Sequence, residues 1–183
     1  MKVENLYDIL VKCDHKVSTD TRKIIKGSIF FALKGENFDG NNFALTALKN
    51  GASYSIVDNK NISKSDNRII LVKDVLETLQ NLSKYNRTKS SCYVIAVTGS
   101  NGKTTTKELI HHVLKIKYKT ICTKGNYNNH IGVPLSLLEI KSSTEYAIIE
   151  MGANNFGEIK FLTELVQPDI GYITNFGLAH LEG

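Results

Sequence analysis

The chain has 183 residues, room for one large domain or two small ones at roughly 100–200 residues per domain. With 42% hydrophobic and 22% charged residues, no apolar run of roughly 18 residues, and no apolar signal core after Met1-Lys2-Val3-Glu4-Asn5, it reads as a globular cytoplasmic protein without membrane insertion. The net charge of +5 comes from dispersed lysines with only three arginines, Arg22, Arg68 and Arg87, which speaks against a nucleic-acid partner and mildly favours anionic ligands.

In chain order, Ser28–Leu33 is a strand candidate closed by the turn-rich segment Lys34–Gly40, and Phe43, Ala44, Ala47 and Leu48 then recur at helical spacing. Ser53–Val57 and Ile69–Val72 read as further strands, and Val75, Leu76, Leu79 and Leu82 as an amphipathic helix. The polar stretch Lys84–Ser91 lacks periodicity and reads as a linker, so residues 1–84 form a small α/β domain, 85–91 a connection and 92–183 a second domain. In that second domain Tyr93–Val97 is an apolar run of the kind found in buried parallel strands. Leu109, Ile110, Val113 and Leu114 mark a helix, and Tyr146–Ile149 and Ile170–Thr174 are two more buried strands. Strands alternating with helices predict an α/β fold with a doubly wound parallel sheet. The chain stops three residues after His180, with fewer strands than such a sheet normally has, so a truncated protein is expected.

Cys13, Cys92 and Cys122 are odd in number and far apart, which argues against a disulfide framework; each is expected to be a small buried apolar residue.

The strongest chemical signal is Thr98-Gly99-Ser100-Asn101-Gly102-Lys103-Thr104-Thr105, between a strand and a helix. Glycines let backbone amides wrap a phosphate, and the helix amino terminus adds its positive dipole end. Lys103 can reach the outer phosphates of a nucleotide, and the Thr104 hydroxyl can ligate Mg²⁺. The loop departs from the usual P-loop at Val97, where that pattern has its first glycine. Glu150 ends a strand, where a carboxylate suits a metal site beside a phosphate loop better than a core. Asn128-Asn129-His130 is a polar cluster that turn chemistry alone would explain. Ser18-Thr19-Asp20-Thr21-Arg22 reads as an exposed turn.

These segments resemble the Mur ligase family: TGSNGKTTT at the loop, TKGNYNNHIGVPLSLL at Thr123–Leu138, EMGANNFGEI at Glu150–Ile159, ITNFGLAHLEG at Ile173–Gly183, VSTDTRKI at Val17–Ile24 and FFALKGENFDG at Phe30–Gly40. The order and spacing look like the branch that joins D-alanyl-D-alanine to a UDP-N-acetylmuramoyl-tripeptide in peptidoglycan synthesis. The resemblance implies that ATP and Mg²⁺ are cofactors and those two molecules the substrates, that the protein is a monomer, and that the family's last domain and part of its central one are missing. It implies that Gly99–Thr105 and Asn129 hold the nucleotide, with Thr123 and Lys124 weaker candidates. Thr104, Glu150 and His180 would bind magnesium, and Lys103, Glu150 and His180 would serve the reaction. Ser18, Asp20, Thr21, Arg22, Lys34, Asp39 and Gly40 would line the uridine-diphosphate pocket. Asn155 stands where the family commonly has histidine and is left out of the set. A sister ligase adding another amino acid, a P-loop kinase or GTPase, and a non-catalytic nucleotide-binding module remain as alternatives.

Overall fold

A computed structural model describes residues 1–177 and resolves two compact units, Met1–Tyr85 and Asn86–Gly183. Each is a layered α/β unit built on a four-stranded, all-parallel sheet.

In the first unit, helix α1 (Val3–Lys12) turns Leu6 and Leu10 into the core. The sheet is ordered β1 (Val17–Ser18), β2 (Ile29–Phe31), β5 (Tyr54–Val57), β6 (Ile69–Leu71). Strand β2 is buried at every residue, as a parallel strand covered on both faces must be. A short hairpin, β3 (Lys34–Gly35) with β4 (Phe38–Asp39), follows it and leads through a 3-10 turn at Gly40–Phe43 into α2 (Ala44–Lys49). Phe30, Ala44, Ala47, Leu48 and Val57 share one apolar cluster, so three of the four residues at the expected helical spacing mark a core face, while Phe43 lies in the 3-10 turn and is 44% exposed. Burial of the larger of these side chains, Phe30, Leu48 and Val57, contributes roughly 1.5–3 kcal/mol each.

Helix α3 (Val75–Lys89) starts where the Asp74 carboxylate accepts the Glu77 amide at 2.7 Å, a side-chain N-cap. The helix carries Val75, Leu79 and Leu82 into the core and runs on past residue 84. The stretch expected as an aperiodic linker is therefore helical as far as Lys89. Its polar residues have fixed partners within the second unit. Asn86, only 2% exposed, donates to the Leu137 and Ile140 carbonyls at 2.8 and 3.0 Å. Arg87 donates to the Val166 and Gln167 carbonyls at 3.1 and 2.9 Å and pairs with Asp169 at 2.9 Å.

The second unit contains β7 (Tyr93–Thr98), α4 (Lys103–Leu114), β8 (Thr120–Cys122), α5 (Gly132–Leu138), β9 (Tyr146–Glu150), α6 (Glu158–Val166) and β10 (Ile170–Ile173). The strand order is β10-β7-β9-β8. Val94, Ala96, Val133, Leu137, Ala147, Ile149 and Leu162 fill one core layer. Strand β10, expected to be buried, is an edge strand and exposed along its length, and α4 turns Leu109 and Val113 outward, 64% and 67% exposed. The buried residue of α4 is Lys107, whose ammonium donates to the Thr123 carbonyl at 2.6 Å. Cys13 and Cys92 are buried as expected, but Cys122 is only half-buried, since β8 is an edge strand. Among the described residues no helix is long and apolar enough to cross a membrane.

Candidate functional site

The glycine loop leaves the carboxyl end of β7 and enters α4. Gly99 has φ +129°, and a Cβ there would run into the Thr174 hydroxyl, so the position needs glycine on two counts. Gly102, at φ +77°, is the left-handed residue before α4, and no side chain caps that helix. Its first-turn amides therefore have no intrahelical acceptor and point toward any anion held by the loop.

The loop is held from β10. The Thr174 hydroxyl donates to the Asn101 carbonyl at 2.6 Å, and the Asn175 side-chain carbonyl accepts the Asn101 amide at 3.0 Å. The Ser100 amide donates to the Asn175 carbonyl at 3.2 Å, and its hydroxyl accepts the Gly177 amide at 2.9 Å. Lys103 folds back over the loop, donating to the Gly99 and Ser100 carbonyls at 2.7 and 3.0 Å. Thr105 is exposed on the first turn of α4.

Glu150 ends β9, opposite Val97 of β7, which sets its carboxylate beside the loop. It is only 2% exposed. One oxygen accepts the Thr104 hydroxyl at 3.0 Å and the other the Asn128 amide at 2.9 Å. The Glu150 backbone amide donates to the Thr123 hydroxyl at 2.9 Å. These side-chain partners are neutral. A buried carboxylate held by neutral donors is costly, and a divalent cation sharing it with the Thr104 oxygen would offset that cost, so the residues fit Mg²⁺.

Asn129, chosen in the sequence as the contact residue, uses its side-chain carbonyl to accept the Ile131 and Gly132 amides at 3.1 and 2.9 Å. Its neighbour Asn128 is the one on Glu150. Both line a cavity of about 360 Å³ with Lys103, His130, Asn155 and Glu158. Asn128, Thr174 and Asn175 were missed as contributors. The sheet rule that ligand loops gather at the carboxyl ends of adjacent strands is the signal that points to the last two. His180 lies outside the described residues.

In the first unit the expected residues fall into two networks. Ser18, Asp20, Thr21 and Arg22 form a tight turn: the Asp20 carboxylate accepts the Arg22 amide at 2.9 Å and pairs with its guanidinium at 2.7 Å. The hydrogen bond from Arg22 pulls the Asp20 carboxyl down to about 2. The Ser18 hydroxyl donates to the Asp20 carbonyl, and the Thr21 carbonyl accepts from Asn50. Lys34, Asp39 and Gly40 form the other network. Lys34 pairs with Asp58 at 2.8 Å, and buried Asn41 bridges Asp39 and Asp58 at 2.7 and 2.8 Å. Burial pushes the Asp58 carboxyl up, but the Lys34 and Asn41 hydrogen bonds outweigh it and the net shift is down. A Cβ at Gly40 would meet the Leu33 carbonyl, which accepts the Gly40 amide at 2.9 Å. Arg22 and Lys34, expected to meet phosphates, thus each carry a carboxylate in this state. The Arg22–Asp20 pair is solvent-accessible and worth little, whereas in the Lys34–Asp58 pair the lysine is exposed and the Asp58 side chain is only 11% exposed.

Parallel strands with a strand–glycine loop–helix junction and an acid on the neighbouring strand define an α/β protein of the nucleotide-loop class. Two family models match in series: residues 15–87 match the Mur ligase family catalytic domain, and residues 97–183 the Mur ligase middle domain. The chain belongs to the Mur ligase family, of which it carries the N-terminal and middle parts.

The UDP-N-acetylmuramoyl-tripeptide–D-alanyl-D-alanine ligase of Bacillus subtilis is 45% identical over 169 residues, covering 92% of this chain and 37% of that protein. The ligase of the same name from Escherichia coli is 41% identical, covering 91% of this chain and 36% of its own. The crystal structure of the MurF ligase of Thermotoga maritima in complex with ADP superposes with a TM-score of 0.80 at 36% identity, covering 99% of this chain and 40% of that one. MurF from Acinetobacter baumannii gives a TM-score of 0.81 at 40% identity, covering 91% of this chain and 36% of that one. The chain thus spans a little over a third of the length of these relatives.

Proposed function

We propose that the chain is the substrate- and ATP-binding portion of a cytoplasmic, monomeric ligase that adds D-alanyl-D-alanine to a UDP-N-acetylmuramoyl-tripeptide in peptidoglycan precursor synthesis. The observation that carries this reading is the buried Glu150 carboxylate joined to Thr104 at 3.0 Å in the first turn after the glycine loop. The names of the relatives supply the substrate class.

In the proposed reaction the tripeptide carboxylate attacks the γ-phosphorus of ATP, the bond to the β-phosphate oxygen breaks, and an acyl phosphate and ADP result. The amine of D-alanyl-D-alanine then attacks the acyl carbon and phosphate leaves. Carboxylate and triphosphate repel each other, so the first step needs positive charge where they meet. Lys103 would swing from the Gly99 and Ser100 carbonyls onto the outer phosphates, while the free amides of α4 hold them. Thr104 and Glu150, with His180 as a further proposed ligand, would hold a magnesium ion, which would supply charge neutralisation at the phosphates. In the first unit the diphosphate of the UDP substrate would take Arg22 and Lys34 from their carboxylates, with Ser18, Asp20, Thr21, Asp39 and Gly40 lining the pocket.

Calorimetric titration tests this reading. The chain should bind ATP in the presence of Mg²⁺ and, separately, UDP-N-acetylmuramoyl-tripeptide. Lys103→Ala should weaken ATP at least about tenfold, on the order of 1.4 kcal/mol, and leave the UDP substrate unaffected. Unchanged ATP affinity in a folded Lys103→Ala variant would remove the loop assignment. Failure of the chain to bind the UDP substrate would remove the role of the first unit.

A further inference from the structure

Away from the glycine loop, a second group of ligating side chains lies on the outer part of α4. Glu108 and His111 are three residues apart and therefore share one face of the helix. Cys122, at the end of the edge strand β8, packs against that face. One ligand atom from each of the three lies within 4.8 Å of the other two, and among the described residues this is the group of histidine, cysteine and acid that meets that spacing. We infer that Glu108, His111 and Cys122 form a binding site for a borderline-soft transition-metal ion such as Zn²⁺, separate from the proposed magnesium site.

The donor set argues for that class of metal. Sulfur and imidazole nitrogen select zinc and its neighbours over the oxygen-seeking Mg²⁺. Bonds of about 2.0–2.3 Å in a tetrahedron bring ligand atoms to about 3.3–3.7 Å from one another, so the group has to close by little more than about 1 Å. Rotation of the Glu108 and His111 side chains can supply that, because both are only partly buried. Their exposure also leaves a fourth position for water.

The protonation states suit the metal. Burial lowers the basicity of His111, which keeps its imidazole neutral and able to donate a lone pair. The hydrogen bond from Lys107 pulls the Glu108 carboxyl down, and the 2.9 Å contact uses one oxygen; the other lies 4.0 Å from His112 Nδ1, beyond hydrogen-bond distance, and can turn to a metal. Burial raises the Cys122 thiol, so formation of the metal–sulfur bond releases its proton to solvent. The ammonium of buried Lys107 opposes a cation but favours the thiolate that binds it. The metal would tie α4, whose first turn carries Lys103 and Thr104, to the strand that leads directly into Thr123, the partner of the Glu150 amide.

The test is titration of the chain with Co²⁺, whose thiolate complexes absorb in the near ultraviolet by sulfur-to-metal charge transfer. One equivalent of Co²⁺ should produce that absorption, Zn²⁺ should displace it, and excess Mg²⁺ should not. Cys122→Ser should abolish the absorption, while Cys13→Ser and Cys92→Ser leave it intact. Glu108→Gln and His111→Ala should each weaken binding at least about tenfold. Of these, His111→Ala alters a partly exposed helix residue and keeps the test clear of misfolding, whereas Glu108→Gln also removes the carboxylate paired with buried Lys107. The inference is overturned if no sulfur absorption appears, if it survives in Cys122→Ser, if excess Mg²⁺ displaces the ion, or if neither Glu108→Gln nor His111→Ala weakens binding.

Discussion

Glu150 shows how a single residue can set stability against function. Its carboxylate is buried, and its side-chain partners, Thr104 and Asn128, are neutral donors. Charge-assisted hydrogen bonds of this kind contribute roughly 1.5–3 kcal/mol each. They set that against a desolvation cost of several kcal/mol for a buried ion. Glu150→Gln removes the charge and keeps the shape. In metal-free buffer the variant is expected to melt at the same temperature as the parent or higher. It should lose the extra thermal stabilisation that ATP with Mg²⁺ gives the parent, read by differential scanning calorimetry. A variant that melts lower without metal, yet is still stabilised by ATP and Mg²⁺, would show that Glu150 is a structural acid. Asp20 offers a second residue-scale test. Asp20→Asn keeps an oxygen to accept the Arg22 amide but releases the guanidinium. If Arg22 serves a diphosphate, UDP affinity should stay the same or rise. A tenfold fall, about 1.4 kcal/mol, would mean that Asp20 contacts the ligand itself or holds Arg22 in place for it.

At the scale of elements, several helices and strands with a clear period were read from the sequence, while the amphipathic α1 and α6 were not. The Leu79 and Leu82 spacing gave α3, and the apolar runs gave β7 and β9. The glycine loop was legible because its chemistry is local: glycines, a lysine and a hydroxyl within eight residues. Other features escaped because they depend on distant partners. Residues 84–91 look like a linker because their polarity has no helical period, yet Asn86 and Arg87 are polar in order to satisfy carbonyls some 50–80 positions away. The same reason explains why Asn129 was preferred to Asn128. Which of two adjacent asparagines caps α5 and which meets Glu150 is decided by the tertiary fold. Strand β8 has three residues, too few for a period to register, and it was missed. Asn86→Ala should expose the cost of such a hidden clamp. It leaves the Leu137 and Ile140 carbonyls without that donor in a buried place, and is expected to destabilise the chain by about 1–3 kcal/mol, read as a lower denaturant midpoint with an unchanged slope. A shift below about 0.5 kcal/mol, the range of ordinary surface substitutions, would restore the linker reading.

At the scale of the whole molecule, binding and turnover are expected to separate. The 183 residues span 37% of the length of the Bacillus subtilis relative. They provide the glycine loop, the buried acid and a cavity of about 360 Å³, in whose lining Lys103 is the one lysine. In the proposed function these residues hold the triphosphate. Joining an amine to an acyl phosphate further requires the amine to be aligned and water to be kept out, and alignment alone supplies roughly 7–11 kcal/mol of barrier reduction. Residues 1–183 taken by themselves should therefore bind ATP and the UDP-tripeptide but form no UDP-pentapeptide. The measurement is an incubation with both substrates, D-alanyl-D-alanine and Mg²⁺, followed by mass spectrometry of the nucleotide products. Nucleotide binding without product is the expected result. Product formed at about 1 s⁻¹ or faster, within the usual range of enzymes, would show that these residues align the amine themselves and that the catalytic centre is complete within them.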